Sequence, residues 1–269
     1  MTDSAQVLAA GSHFPPGIDS FNFRDWFTGL SDTALANVFT TLTFSVWLSV
    51  AILIVFFLWA YRKPQIVPTK RQWLAESAYG FIRNSVSIDL LGKQAGVRFA
   101  PYLTTMFLFI LVMNFWAVVP GVQISPNSHI AFPATMGIIA WLVYNWVGIK
   151  KHGFVRYLKI TCIPPGSPVF ILPLLIPLEF LQNILLRPVT LALRLFANMF
   201  AGHLILLVFT LGGFVLLNSE NLFIQSVSVL SWALTIAMTF FELIVIVLQA
   251  YVFTLLTGMY IQGSLVDEH

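Results

Sequence analysis

Two apolar stretches near the C-terminal end set the terms for the whole chain: Val169–Leu217, 49 residues, and Leu222–Tyr260, 39 residues. About 20 residues of helix cross the hydrocarbon core of a bilayer, so each stretch is far longer than one upright crossing needs. Each is therefore either two short passes or one steeply tilted helix, straight or bent. The connection Asn218-Ser219-Glu220-Asn221 is the clear turn between them, which favours a tilted antiparallel hairpin. Pro173, Pro177 and Pro188 allow bends in its first arm.

The rest of the chain fits the same solvent. Hydrophobic residues make up 58% and charged residues 9%, against roughly a quarter charged in an ordinary soluble domain. The fold class is an all-α polytopic membrane protein, with about five hydrophobic helical segments and one amphipathic surface helix. Residues 1–33 form an external lead carrying Pro15-Pro16-Gly17, with Phe21, Phe23, Trp26 and Phe27 suited to a membrane interface. They lack the basic region of a signal peptide. The remainder, 34–269, reads as a single membrane domain. Its first span occupies about 34–61 and stops at Arg62-Lys63-Pro64.

Between 70 and 92 the pattern becomes amphipathic. Leu74, Ala78, Phe81, Ile82 and Ser85 share one face, with Glu76, Arg83, Asn84 and Ser87 elsewhere, so this helix lies flat on the membrane or packs on another subunit. A second span follows at about 99–119, ending at Pro120-Gly121, and a third at about 130–149. The polar loop Gln123 to His129 joins them. A basic loop from Lys150 to Lys159 closes at Pro164-Pro165-Gly166. The connections Arg62–Arg98 and Lys150–Lys159 hold eleven of the fourteen Lys and Arg residues. The positive-inside rule places them in the cytoplasm, the N-terminus outside and the C-terminus inside.

Several function classes drop out. The net charge of +3 comes from loop lysines and arginines, not from a nucleic-acid surface. Cys162 is the one cysteine, so no internal disulfide or Cys/His metal cluster is expected. A phosphate-cradling Gly-x-x-x-x-Gly-Lys-Ser/Thr loop is absent, as is a nucleophile elbow. No cofactor is implied.

The charges inside the long stretches carry the functional signal. Between Val169 and Leu217 only Glu179, Arg187 and Arg194 are formally charged. Arg194 cannot shed its charge, and desolvating a guanidinium costs several kcal/mol. Glu179, Asn183, Arg187, Thr190, Arg194 and Asn198 step by three or four residues and fall on one helical stripe. The bland alternative, Arg194 snorkelling to a headgroup layer, conflicts with the apolar run Leu204 to Leu217 that follows it. On the final helix Ser228, Thr235, Glu242 and Gln249 recur every seven residues, with Ser231 and Thr239 beside them. Glu242 is the one charge between Glu220 and Asp267, and a lone intramembrane carboxyl often relays protons. His203, across the hairpin, is its plausible partner; a plain structural hydrogen bond is the bland reading. Asn114 offers a polar wall to the same vestibule or serves as interhelical glue. Glu179 and Asn183 lie on the inner half of the long helix, where they can line a water path.

At Leu191-Ala-Leu-Arg-Leu-Phe-Ala-Asn-Met-Phe-Ala-Gly-His203 and Phe241-Glu-Leu-Ile-Val-Ile-Val-Leu-Gln-Ala-Tyr-Val-Phe253 the chain resembles subunit a of the F-type ATP synthase. The likeness covers most of the chain from about residue 34. It implies a membrane stator beside the rotor ring of c subunits, with the subunit b stalk and the rest of the complex as partners and a bacterial plasma membrane as location (an organellar membrane is the alternative). By that resemblance Arg194 is the stator arginine that faces the rotor carboxylate, and Asn198 and Gln249 are its polar neighbours. His203 and Glu242 form an outer half-channel pair, and Glu179 belongs to the inner half-channel. Ala117 departs from relatives that carry an acid there. The competing classes are a stand-alone secondary transporter or channel with a buried Arg/Glu/His site, and a purely structural scaffold. The lack of evident internal repeats argues against the first.

Overall fold

The computed structural model describes residues 41–119, 125–162, 172–218 and 222–265. The lead at 1–33, the start of the first span, Pro120-Gly121, Pro164-Pro165-Gly166, residues 219–221 of the hairpin turn and Asp267 lie outside the described residues. Among the described residues the regular structure is all helical, without a strand. Five helices are long and apolar enough to cross a membrane: Leu42–Ala60, Lys70–Phe115, Ala131–His152, Leu172–Leu217 and Gln225–Leu265. The chain is a multi-pass membrane protein.

Helix α1, Thr41–Ala60, is followed by α2, Lys70–Ile82, which runs through a π-turn at Arg83–Ile88 into α3, Asp89–Phe115. The path breaks inside α3 at Gly92, whose φ of 75° and ψ of 171° belong to a region essentially reserved for glycine. The chain reverses there, and the π-turn packs back on α3. Ser87 Oγ donates to the Gly96 carbonyl at 2.6 Å, and a Cβ on Gly96 would lie 2.7 Å from the Ser87 carbonyl oxygen. Only glycine permits that approach. The second span ends at Phe115, where turn hydrogen bonds from Ala117 and Val118 take over.

The face of α2 turned to the protein is the one with small and amide side chains. Gln72, Ala75 and Ile82 are buried, while Leu74 and Phe81 are about half exposed or more. The expected apolar face is thus divided, Ile82 inward and its large neighbours outward. Gln72 is held by Gln65 and Glu76, its Nε2 donating to the Gln65 carbonyl at 3.0 Å and to Glu76 Oε1 at 2.7 Å.

Helix α4, Ala131–His152, ends at Gly153 (φ 81°, ψ 155°), and a short helix α5, Phe154–Cys162, follows where a plain basic loop was expected. Lys150, Lys151 and His152 occupy the last turn of α4, where cations complement the carbonyl end of the helix dipole. Helix α6, Leu172–Phe180, passes through a second π-turn, Leu181–Leu186, into α7, Arg187–Leu217. Pro188 has no N–H for the carbonyl four residues earlier, which is a direct reason for the helix to widen there. Helix α8, Leu222–Leu265, runs 44 residues.

The two-pass alternative for the long stretches is therefore set aside: each is one continuous helical path. At 1.5 Å per residue α8 is about 66 Å long, twice the ~30 Å of a hydrocarbon core. It must cross obliquely or project well beyond the core.

α7 and α8 pack antiparallel. Ser228 Oγ donates to the Gly213 carbonyl and Ser231 Oγ to the Phe209 carbonyl, both at 2.7 Å. Farther along, Asn198 meets Gln249, and the Arg187 guanidinium lies 5.1 Å from the Tyr260 ring centroid. The buried core forms where α3, α4, α7 and α8 meet, around Leu103, Ile110, Tyr144, Leu191, Leu195, Phe253 and Ile261.

Candidate functional site

On α7, Leu191 and Leu195 turn into the core, which leaves Arg194 on the outer surface of the hairpin. It makes no hydrogen bond or ion pair with another described residue. Thr190, Ala197, Asn198 and Ala201 are exposed on the same side. Side chains this small let another backbone come close to the guanidinium. A charge so placed in an apolar belt calls for an anion from outside the chain.

Directly behind it the two polar stripes meet. Asn198 Nδ2 donates to Gln249 Oε1 at 2.6 Å, from an exposed position on α7 to a buried one on α8. Two turns away Glu242 is 4% exposed, and both carboxyl oxygens are shielded without a hydrogen-bond partner among the described residues. Gly202 makes the room: a Cβ there would stand 3.1 Å from Glu242 Oε1. His203, the next residue, is also buried. The direct His203–Glu242 hydrogen bond suggested by the sequence is not formed. On the facing helix it is Gly202 that stands against the carboxyl.

The stripe expected on the long helix is divided. Asn183 is buried, Glu179 and Arg187 are half-buried, and Thr190, Arg194 and Asn198 are exposed. The π-turn between Glu179 and Arg187 supplies the physical cause, since its extra residue per turn rotates everything before it relative to everything after. Asn183 Nδ2 donates to Glu179 Oε2 at 3.2 Å and to the Thr161 carbonyl at 3.1 Å, and Tyr144 donates its hydroxyl to the Asn183 carbonyl at 3.0 Å. Glu179 and Asn183 are thus one polar cluster between α4, α5 and the π-turn.

Asn114 is fully buried at the far end of α3, where its Oδ1 accepts from Asn127 Nδ2 at 2.6 Å. Asn127 lies in a short 3-10 turn, Pro126–Ser128, that packs on both α3 and α7. Ser125 fixes this turn, donating from Oγ to the Met113 carbonyl and accepting from the Asn127 amide. Asn127 was not singled out from the sequence, although Ser125-Pro126-Asn127-Ser128 carries the capping and turn residues that announce such a structure. Tyr144 and Tyr260 were missed as well, being indistinguishable in sequence from interfacial aromatics. Ala117 is buried beside this region.

A chemical pattern runs through these clusters. Asn114 Nδ2, Asn127 Oδ1, both Glu242 oxygens, Gln249 Nε2 and Asn183 Oδ1 are buried with unfilled hydrogen-bonding capacity. Buried polar atoms are ordinarily paired or hydrated, and a string of them in a membrane domain is a natural place for water. Among them Glu242 can bind and release a proton, whereas Arg194 can only hold its charge.

Comparison with known proteins gives this geometry its family. The ATP synthase A chain family matches residues 43–262. ATP synthase subunit a of a Nocardioides species is 43% identical over 278 residues, covering 100% of both chains. The subunit a of Pseudarthrobacter chlorophenolicus is 41% identical over 261 residues, with 97% of this chain and 96% of the relative aligned. That of Streptomyces lividans is 40% identical over 277 residues, with 99% and 96% aligned. With its five apolar helices and its arginine set on the flank of a long helical hairpin, the chain belongs to the ATP synthase A chain family.

Proposed function

We propose that the chain is the membrane stator of an F-type ATP synthase and supplies two offset aqueous half-channels to a rotor ring of c subunits. The observation that carries this reading is Arg194, a permanent cation on an outward apolar face with no anionic partner among the described residues. A rotor carboxylate is a partner of the right charge. On this reading a proton enters from the outside past Asn114 and Asn127 and the His203–Glu242 region, and neutralises that carboxylate. The neutral carboxyl can then travel through lipid. On its return, the fixed charge of Arg194 favours the ionised form and drives release toward Glu179 and Asn183. The same charge repels a proton that would pass directly between the half-channels.

Asn198 and Gln249 brace the arginine's surroundings from behind. Loop charge supports a cytoplasmic C-terminus, and the bacterial relatives support a plasma membrane, with subunit b and the remaining subunits as partners.

ATP-driven proton uptake and passive proton leak in inverted vesicles carrying assembled Arg194→Ala complex test the mechanism. The expected outcome is loss of pumping with passive conduction kept or raised. Normal coupled pumping would overturn it.

A further inference from the structure

A groove of about 1090 Å³ opens on the basic side of the membrane domain, away from the hairpin's arginine face. One wall is a single face of α3, made of Leu91, Gln94, Ala95, Arg98 and Phe99, and the other is a single face of α4 from Leu142 to Lys151. The end of α8 closes it at Leu265, whose carbonyl accepts from the Lys151 ammonium. The lining is graded along its depth. Leu142 and Val143 lie toward the membrane interior, Trp146 stands above them at 69% exposure, and Lys150 and Lys151 cap the wall one turn further on. Arg98 enters from the facing helix, and among the described residues no acidic side chain lines the space.

An apolar floor, a tryptophan at interfacial depth and cations at the mouth describe the two ends of a phospholipid. We propose that this groove is a binding site for an anionic phospholipid, its acyl chains lying on Leu142, Trp146 and Phe99 and its phosphate between Arg98 and Lys150. Basic pockets between membrane helices bind acidic headgroups in this manner. The apolar floor selects a lipid over free phosphate, and Arg98 and Lys150 select an acidic headgroup over a zwitterionic one. A lipid seated here joins α3 to α4 at the end where α8 terminates, opposite the rotor-facing side, so it steadies the stator without entering the proton path.

The assembled complex, delipidated in detergent and then offered phosphatidylglycerol or phosphatidylcholine, tests this by native mass spectrometry. Wild type is expected to retain phosphatidylglycerol in preference to phosphatidylcholine, and excess inorganic phosphate should not displace it. In the Arg98→Gln/Lys150→Gln variant retention should fall by about thirtyfold, the order expected for two headgroup cations. Should that variant not assemble, Trp146→Ala, which strips the floor and keeps every charge, is expected to lower retention of the same lipid. Equal lipid retention in wild type and variants, equal retention of the two lipids, or displacement by free phosphate would each overturn the proposal. A protein helix filling the groove would give the first of these results.

Discussion

At the scale of single residues, the arrangement separates a group that keeps its charge from one that can lose it. Arg194 is outside the hairpin and Glu242 inside. Replacing Glu242 with Gln keeps the shape and hydrogen-bonding capacity but removes the titration. ATP-driven proton uptake in vesicles is expected to fall severalfold or more, while assembly stays intact on native gels. Asn198 and Gln249 act as a unit through one 2.6 Å hydrogen bond. A double-mutant cycle of Asn198→Ala and Gln249→Ala on thermal stability of the complex is expected to show coupling of about 0.5–1.5 kcal/mol; strict additivity would mean the bond contributes nothing. Arg194 and Glu242 stood out as candidates because a charge in a long apolar run is conspicuous in any register. What meets the Glu242 carboxyl was not legible. Helical spacing places two residues at the same interface but does not say which atom of the facing helix meets the carboxyl, and here Gly202 does.

At the scale of elements, two glycines and two π-turns shape what surrounds the site. A Cβ at Gly96 would meet backbone atoms of Ser87 and Ile88 at 2.7 and 2.8 Å, which no side-chain rotation relieves. Gly96→Ala is therefore expected to destabilise the α2–α3 turn by about 1–3 kcal/mol, read as a lower melting temperature of the purified complex. Gly92→Ala falls in the same range for a different reason, since its backbone conformation disfavours any side chain by about 1–3 kcal/mol. An unchanged melting point for both would refute this description of the turn. The reversal was not readable in advance: an isolated Gly-Lys after an amphipathic run looks like an ordinary helix end. The π-turn at Leu181–Leu186 was equally hidden, and it is why a stripe drawn at 100° per residue from Glu179 to Asn198 does not survive intact. The prolines were legible as bends, but the widening they cause was not.

At the scale of the whole molecule, the five-helix plan followed from the length and purity of the apolar runs, which leave few alternatives in a bilayer. Where the ends of those helices sit relative to one another did not, because it depends on small-residue contacts such as Gly213 against Trp232 and Gly137 against the Pro188 carbonyl. The same plan divides the surface into the Arg194 flank on α7 and α8, proposed to handle protons, and a basic groove between α3 and α4. Changes at one should leave the other's readout intact. Arg98→Gln/Lys150→Gln is expected to keep the ATP-driven proton uptake of wild-type vesicles, whereas Arg194→Ala is not.

The outward setting of Arg194 also bears on how such a protein comes into being. A newly inserted chain that has not met the rest of its complex presents a guanidinium to hydrocarbon, a state that costs several kcal/mol. Companionship is therefore a condition of its survival. In cells deprived of the rotor subunit, pulse-labelled chain is expected to disappear faster than the same chain carrying Arg194→Leu, which is content in lipid alone. On the proposed reading one side chain thus serves the assembled machine and marks an orphan for disposal, tying the lifetime of this subunit to the supply of its mate.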